Sequence, residues 1–368
     1  MARIRTIFLP PNTGTRIRKF TGIEETRTTG GGESRCTDEL GYGTDHPMTI
    51  EHYKVNFPRL TGDTGTVASG YVWNNYPVTN LGANVSPFGD SLTPEPSDVY
   101  SATKVAADTN PGRPNVSVPL LLFETISSIP ETIFQTGLRL SQGKRPGGGN
   151  SIAASNFGWE QLYRDVAGLF DFTEHVKDRS EELRRLHQKG GLKRKRRVWT
   201  DQQVIHSSAT LQSQGVVVSA AVVRHKFREK WVSVRWKPTQ HVPLGPTDQV
   251  QMARTLVHGW HIAPADVWNA LPWSWLADYF GNIGQYLGAT RNSNLFTLDS
   301  CCVCQRSILK VSYGKVTHSW GDELTVTTPG SSWELKTRKL GTIGLTTDVP
   351  IISAQRLINL AGIAANYR

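Results

Sequence analysis

The stretch from Ala263 to Gly288, APADVWNALPWSWLADYFGNIGQYLG, constrains the fold of this chain more than any other. It is dense in apolar and aromatic residues, in a chain that is 38% hydrophobic as a whole. Pro264 suits the first turn of a helix, where its missing N–H would be unsatisfied anyway. Trp268, Leu271, Leu276, Tyr279, Ile283 and Tyr286 recur at helical spacing, and Trp273, Trp275 and Leu287 widen the apolar face. Pro272 removes a backbone donor and predicts a kink or a restart. A helix apolar almost all round, with Asp278 the single acid beyond the kink, belongs at the centre of a bundle.

Around this helix the chain alternates in character. Residues 1–118 are rich in Gly, Thr, Pro, Asn and Ser, with short alternating pieces such as Ile50–Val55 and Thr66–Trp73, which read as strands and turns without a helix. Residues 119–190 read as helical. An apolar-periodic segment to about Ser141 leads into a basic, Gly-rich linker at 142–150. A long helix then runs from Asn156 to a Gly190-Gly191 stop. Its acids Glu160 and Asp165 lie early and Arg184, Arg185 and Lys189 late, as the helix dipole favours.

Residues 191–245 return to strands, with Val216–Val223 and Trp231–Trp236 as the clearest pieces. Residues 246–292 hold a short helix, Asp248 to Trp260, with Val250, Leu256 and Val257 facing inward, and then the Trp-rich helix. Residues 293–349 read as a meander of Ser300–Val311, Lys315–Trp320, Glu323–Thr327 and Ser332–Lys339, with turns at 312–314, 321–322 and 329–330. Residues 350–368 form an amphipathic helix with Leu357, Leu360 and Ile363 inward. The expected fold class is α+β: an elongated single body with a discontinuous helical bundle region and a discontinuous, mostly antiparallel β-sheet region.

Lys and Arg number 41 against 31 Asp and Glu, a formal net charge of +10. That balance favours a polyanionic partner, with a merely solvated basic face as the alternative. The charge is most concentrated between Arg184 and Arg197, where Arg184, Arg185, Lys189, Lys193, Arg194, Lys195, Arg196 and Arg197 stand where a helix meets a loop. These eight residues are the candidate RNA-binding set, because phosphate neutralisation is the chief source of nucleic-acid affinity, with nuclear localisation the competing use of such a run. Lys144 and Arg145 in the basic linker join them, and Arg3, Arg5, Arg16 and Arg18 are secondary candidates.

No enzymatic constellation is present, so the chain reads as a non-enzyme without cofactor or metal. The segment Gly137…Gly143-Lys144 has the wrong spacing for a phosphate loop, and Arg145 stands where Ser or Thr is needed. The ten histidines are scattered. Cys36, Cys301, Cys302 and Cys304 lack zinc spacing and read mainly as buried thiols in a β core. Asp278 among tryptophans is either a perturbed acid or, more simply, one capped by Trp N–H groups or paired with Arg. No apolar run is long enough for a signal peptide or a membrane span.

Two ordered motifs carry a family resemblance. Trp268, Pro272, Trp273-Ser274-Trp275 and Asp278-Tyr279, followed by Gly284 and Leu287, resemble the signature helix of the maturation (A) proteins of single-stranded RNA bacteriophages, the levivirus family. There the core reads W-x-x-x-P-F-S-F-x-x-D-W, so the aromatic types are exchanged here. Upstream, Phe157-Gly158-Trp159 with Leu162 and Asp165 resembles that family's F-G-W-x-x-L-x-x-D motif. The helical stretch before Phe157 is shorter than in the family, which implies a shortened or missing bundle helix.

The resemblance implies a virion protein assembled in the bacterial host cytoplasm and present as one copy in place of a coat-protein dimer. It implies binding to 3′-end stem-loops of the viral genomic RNA through the helical end. It further implies a seat in the coat-protein shell and attachment to a retractile bacterial pilus through loops of the β end. A cytosolic RNA-binding protein without a virion role is the alternative, and an enzyme using Asp278 a third reading for which no partner residue is found.

Overall fold

The computed structural model describes residues 2–40, 45–78, 94–114, 172–213, 216–239, 245–258, 263–270, 274, 278, 281–291, 295–318, 324–327 and 330–346. The chain divides into two compact units, each drawn from three segments. One takes Met1–Pro96, Arg196–Val232 and Cys302–Leu340, and the other Ser97–Lys195, Ser233–Cys301 and Gly341–Arg368.

The described elements are β1 (Ala2–Leu9), β2 (Asn12–Arg18), β3 (Glu24–Thr29), β4 (Gly31–Glu39), β5 (Met48–Val55), β6 (Arg59–Thr64), β7 (Tyr71–Pro77), α1 (Asp98–Thr109) and α2 (Phe172–Gln188). They continue with β8 (Leu192–Ser213), β9 (Val216–Pro238), α3 (Pro246–His258), α4 (Pro264–Ala270), α5 (Ile283–Ala289), β10 (Phe296–His318), β11 (Leu324–Thr327) and β12 (Ser331–Leu340). The fold is α+β, with a seven-stranded sheet in the order β1-β4-β5-β12-β10-β9-β8 and a five-stranded sheet in the order β11-β6-β7-β2-β3. The ladders joining β1, β4, β5, β12 and β10 are antiparallel, as are those of the smaller sheet.

The first unit has its clearest core on the smaller sheet. Leu60, Trp73, Tyr76, Val78 and Leu324 are buried together, with Tyr71 and Val326 packed against them. Arg16 is buried in this cluster, its guanidinium 5.2, 5.7 and 5.1 Å from the ring centroids of Tyr71, Trp73 and Tyr76. A cation in that position is held by the ring quadrupoles and by Glu25, to which Arg16 Nε donates at 3.0 Å. The Tyr76 hydroxyl donates to the other Glu25 oxygen at 2.9 Å. In the larger sheet, Arg3 forks onto Asp38 through Nε at 3.1 Å and Nη2 at 2.6 Å. Cys301, Cys302 and Cys304 are buried free thiols on β10, the main reading of the sequence for them.

In the second unit α2 packs against α3, and α1 against α5. Helix α2 buries Val176, Leu183 and Leu186, and α3 buries Ala253, Leu256 and Val257. Helix α2 ends as its sequence predicts. Gly190 takes φ +57°, the Gly190 N–H donates to His187 O and the Gly191 N–H to Leu186 O, which together close a Schellman cap.

Several expectations are corrected. Residues 1–118 contain a helix, α1, opened by Ser97, whose Oγ accepts from Tyr100 N–H. Its buried face is Ser101, Ala102, Thr103, Val105, Ala106 and Thr109, too small and polar to show an apolar period. The hydroxyls of Ser101, Thr103 and Thr109 satisfy themselves on carbonyls four residues back. Strands β9 and β10 are each continuous over 23 residues, so no turn interrupts Ser312-Tyr313-Gly314. Val250 faces solvent at 37% exposure.

The Trp-rich stretch is broken at Gly281-Asn282, a second interruption beyond the kink or restart expected at Pro272. Helix α4 ends at Ala270 and α5 begins at Ile283, and the carboxamide of Asn282 ahead of α5 bonds Gly344 O and Thr346 N–H instead of capping it. Trp268, Ile283, Tyr286 and Leu287 are half-buried, so the described part is not apolar all round in its packing. The expected helices at 119–141 and 351–367, and the helix before Phe172, lie outside the described residues.

The Arg3 fork holds the Asp38 carboxyl below its ordinary range, against the opposing effect of burial, with Arg5 and His46 adding to the lowering. A carboxyl that titrates lower in the folded chain contributes stability fully present above its unfolded pKa, about 3.9. That contribution is lost as pH falls through the lowered folded value. Melting temperatures followed from about pH 6 to about pH 2 should therefore fall on acidification, and Asp38→Asn should flatten the curve. An unchanged curve would exclude Asp38 as a contributor.

Candidate nucleic-acid interface

Three positions of the Trp-rich motif meet in one hydrogen-bonded knot. Trp268 Nε1–H donates to Asp278 Oδ2 at 3.2 Å, and the Gly284 N–H donates to Asp278 Oδ1 at 2.9 Å. Asp278 is thus capped by an indole N–H, one of the two readings open from sequence, and both of its oxygens are engaged. Gly284 fits because a Cβ there would come within 2.8 Å of Asp278 Oδ2 and 3.5 Å of Trp268 Cδ1. Ser274 is helical and half-buried. Pro272, Trp273 and Trp275, and the whole second motif of Phe157, Gly158, Trp159, Leu162 and Asp165, lie outside the described residues.

Around the same segment, Asp266 Oδ2 accepts from the Ala263 N–H at 2.9 Å, half of a capping box at the start of α4. Its other oxygen accepts from Arg291 Nη1 at 2.6 Å, a buried ion pair that ties α4 to the second residue after α5. These bonds fix the aromatic segment as structural framework.

The basic run begins on the last turn of α2 and continues along the start of β8, not in a loop. Arg184, Arg185 and Lys189 are exposed on or just after the helix, and Lys193, Lys195, Arg196 and Arg197 are exposed on the strand. Lys193–Lys195 group with α2 in the second unit, while Arg196 and Arg197 belong to the first. Several guanidinium forks are already occupied. Arg185 pairs with Glu181 at 3.0 Å, Arg194 with Glu182 at 3.2 Å, and Arg197 with Glu229 at 3.5 Å. Arg184, Lys189 and Arg196 have no ion pair among the described residues. Lys144 and Arg145 lie outside them. Arg16 is removed from the secondary candidates, because it is buried among aromatic rings.

The structure adds residues that the sequence alone did not suggest. Arg179 and Glu182 are paired at 2.9 Å, with side chains only 2% and 8% exposed. Arg179 also donates to Pro111 O at 2.9 Å and Arg113 O at 3.1 Å, pinning the turn after α1. Arg113 approaches the same Glu182 at 3.8 Å. Burial pushes the Arg179 guanidinium down to about 10, which leaves it cationic at neutral pH. Beside this pair lies a cavity of about 310 Å³, walled by Arg113, Arg185, Arg194 and His175 against Asp178 and Glu181. A phosphate reaching it competes with these carboxylates for the same forks. The i, i+3 spacing of Arg179 and Glu182 was visible in the sequence, but nothing there marked Arg113 as their neighbour.

Among the described residues no group of three or more His, Cys, Asp or Glu is placed to hold a metal ion, and no helix is long and apolar enough to cross a membrane. The chain matches no model of a known protein family, and no curated protein matches its sequence.

Two outcomes test this description. Replacing Arg184, Lys189, Lys193 and Lys195 by Gln should weaken RNA binding and lower the slope of log K against log salt by about 3, at roughly 0.7–0.9 per lost phosphate contact. A filter-binding titration over several salt concentrations reads this, and an unchanged slope removes the junction as an RNA contact. Glu182→Gln should destabilise the second unit by about 3–5 kcal/mol in chemical denaturation, because Arg179 keeps a buried charge without its counter-charge. A loss under about 1 kcal/mol would mean that solvent reaches the pair.

Proposed function

We propose that this chain is a maturation protein of a small RNA phage, carried as a single copy in the virion. It binds the genomic RNA at 3′-end stem-loops, occupies a place in the coat-protein shell and attaches the particle to a retractile bacterial pilus. It acts by binding and delivery and has no catalytic activity of its own. The observation that carries the reading is the Trp268–Asp278–Gly284 knot. Three signature positions, 16 residues apart at the extremes, meet in one hydrogen-bonded unit whose glycine admits no side chain without displacement.

The exposed cations of the α2–β8 junction support RNA as the ligand. A-form RNA hides its bases in a narrow major groove, so such a junction meets stem-loops through phosphates and shape. Strand-supported loops of the first unit are the natural place for pilus contact, because rigid sheets present loops for recognition.

Crosslinking of protein to RNA in purified particles, followed by sequencing of the attached RNA, tests the proposal. Recovery of a few discrete hairpins, one near the genome 3′ end, with crosslinked peptides from 184–197, is the expected result. Diffuse host RNA, or absence of the chain from particles, would leave a cytosolic RNA-binding protein and overturn the virion role.

A further inference from the structure

The register of the seven-stranded sheet sorts its charges by sign onto one face. Arg3, Asp38, Met48, Arg338 and Cys304 lie opposite one another across β1, β4, β5, β12 and β10. The next row on the same face is Arg5, Cys36, Ile50, Lys336 and Arg306. Two rows further, Lys54 and Lys310 flank Ser332.

Across these five strands that face holds seven Lys or Arg and two acids, Asp38 and Glu334. The opposite face holds Arg35 and Lys339 against Glu33, Glu39 and Glu51. Glu229 extends the first face through β9 to β8, since it pairs with Arg306 at 3.9 Å and with Arg197 at 3.5 Å. All of these residues belong to the first unit.

Exposure alone drives charge outward, but it does not select the sign. The cations remain accessible: the side chains of Arg197, Arg5 and Lys336 are 67%, 57% and 41% exposed. Lys54 and Lys310 are exposed and have no ion pair among the described residues. Only the end near Cys302 and Cys304 is covered.

We infer that this face is a second nucleic-acid surface, which holds an RNA strand by its phosphates. The choice of RNA rests on the function proposed above; the cationic character of the face does not. Same-face residues repeat at roughly 6.6–6.8 Å along a strand and about 4.8 Å between strands, a regular lattice of cations suited to a periodic polyanion. Several of them are arginines, whose planar forks match phosphate. A lipid surface is disfavoured, because among the described residues of these five strands the large apolar side chains exposed on this face are two, Ile7 at the β1 edge and Leu340 at the end of β12. An acidic protein would not need so regular an array.

The variant Arg5→Gln, Lys54→Gln, Lys310→Gln, Lys336→Gln removes the Arg5–Asp38 and Lys336–Glu334 pairs but leaves each acid a shorter one, Asp38 with Arg3 and Glu334 with Arg306. An unchanged circular dichroism melt establishes that it folds, and if it does not, Lys54→Gln with Lys310→Gln is used in its place. With a generic RNA hairpin as the probe, the fourfold variant should bind about tenfold more weakly near 0.1 M salt and lower the salt slope by about 3. The twofold variant should lower the slope by about half as much. Arg35→Gln with Lys339→Gln, on the opposite face, should change neither.

Equal effects from the two faces, or no change of slope, overturn the inference. So does a loss seen with polyglutamate or phosphatidylglycerol vesicles but not with RNA. If the junction variant alone lowers the slope, the sheet surface falls while the proposed function stands. If the sheet variant lowers it but particles yield no discrete hairpins, the surface stands and the virion role falls.

Discussion

The Glu182 carboxylate is the point on which the described helical unit most depends. Its own helix supplies Arg179, the turn after α1 supplies Arg113, and the first residues of β8 supply Arg194. Two successive elements and the distant turn after α1 are thereby gathered on two oxygen atoms. Burying such a group costs several kcal/mol per ion unless it is matched and hydrogen-bonded. Arg179 meets that condition by turning its remaining donors onto the Pro111 and Arg113 carbonyls. The direction in which β8 leaves α2, and so the place of the basic run, follows from this arrangement together with the Gly190-Gly191 cap.

The same residue type serves two purposes in this chain, and burial separates them. Arg16, Arg179 and Arg291 are buried and paired, acting as internal ties between distant segments. Arg184 and Arg196 are exposed and carry no ion pair among the described residues, so their charge acts outward. A net charge of +10 therefore overstates neither framework nor binding; it is a sum over both. Exposed pairs such as Arg185–Glu181 stand between the two, worth little to stability and easily exchanged for a phosphate.

Much of the strand pattern was legible because alternation and turn residues are local signals. Strand β5 spans the alternating piece at 50–55, and the glycine stop after α2 is where the chain turns into β8. What was missed depends on tertiary packing. Helix α1 buries Ser, Thr and Ala against close neighbours, so it leaves no apolar period, and the Pro94-Glu95-Pro96 loop masked its Ser97 cap. Conversely, the Trp-rich stretch has a strong period but is divided at Asn282, whose side chain is claimed by residues 344–346. The capped state of Asp278 was one of the readings open in the sequence. The cationic face of the large sheet was not, because it exists only once register aligns residues from three separate segments.

Strand β1 is the outermost strand of its sheet, and every residue from Ala2 to Phe8 is exposed. Among the described residues no strand pairs with its outer edge, and Ile4, Ile7 and Phe8 stand out from it. It lacks the proline or bulge that usually blunts such an edge. A chain of this kind invites another β-strand to dock alongside. Kept at high concentration on its own, it is prone to stack edge to edge and leave solution, so its handling will be governed by β1.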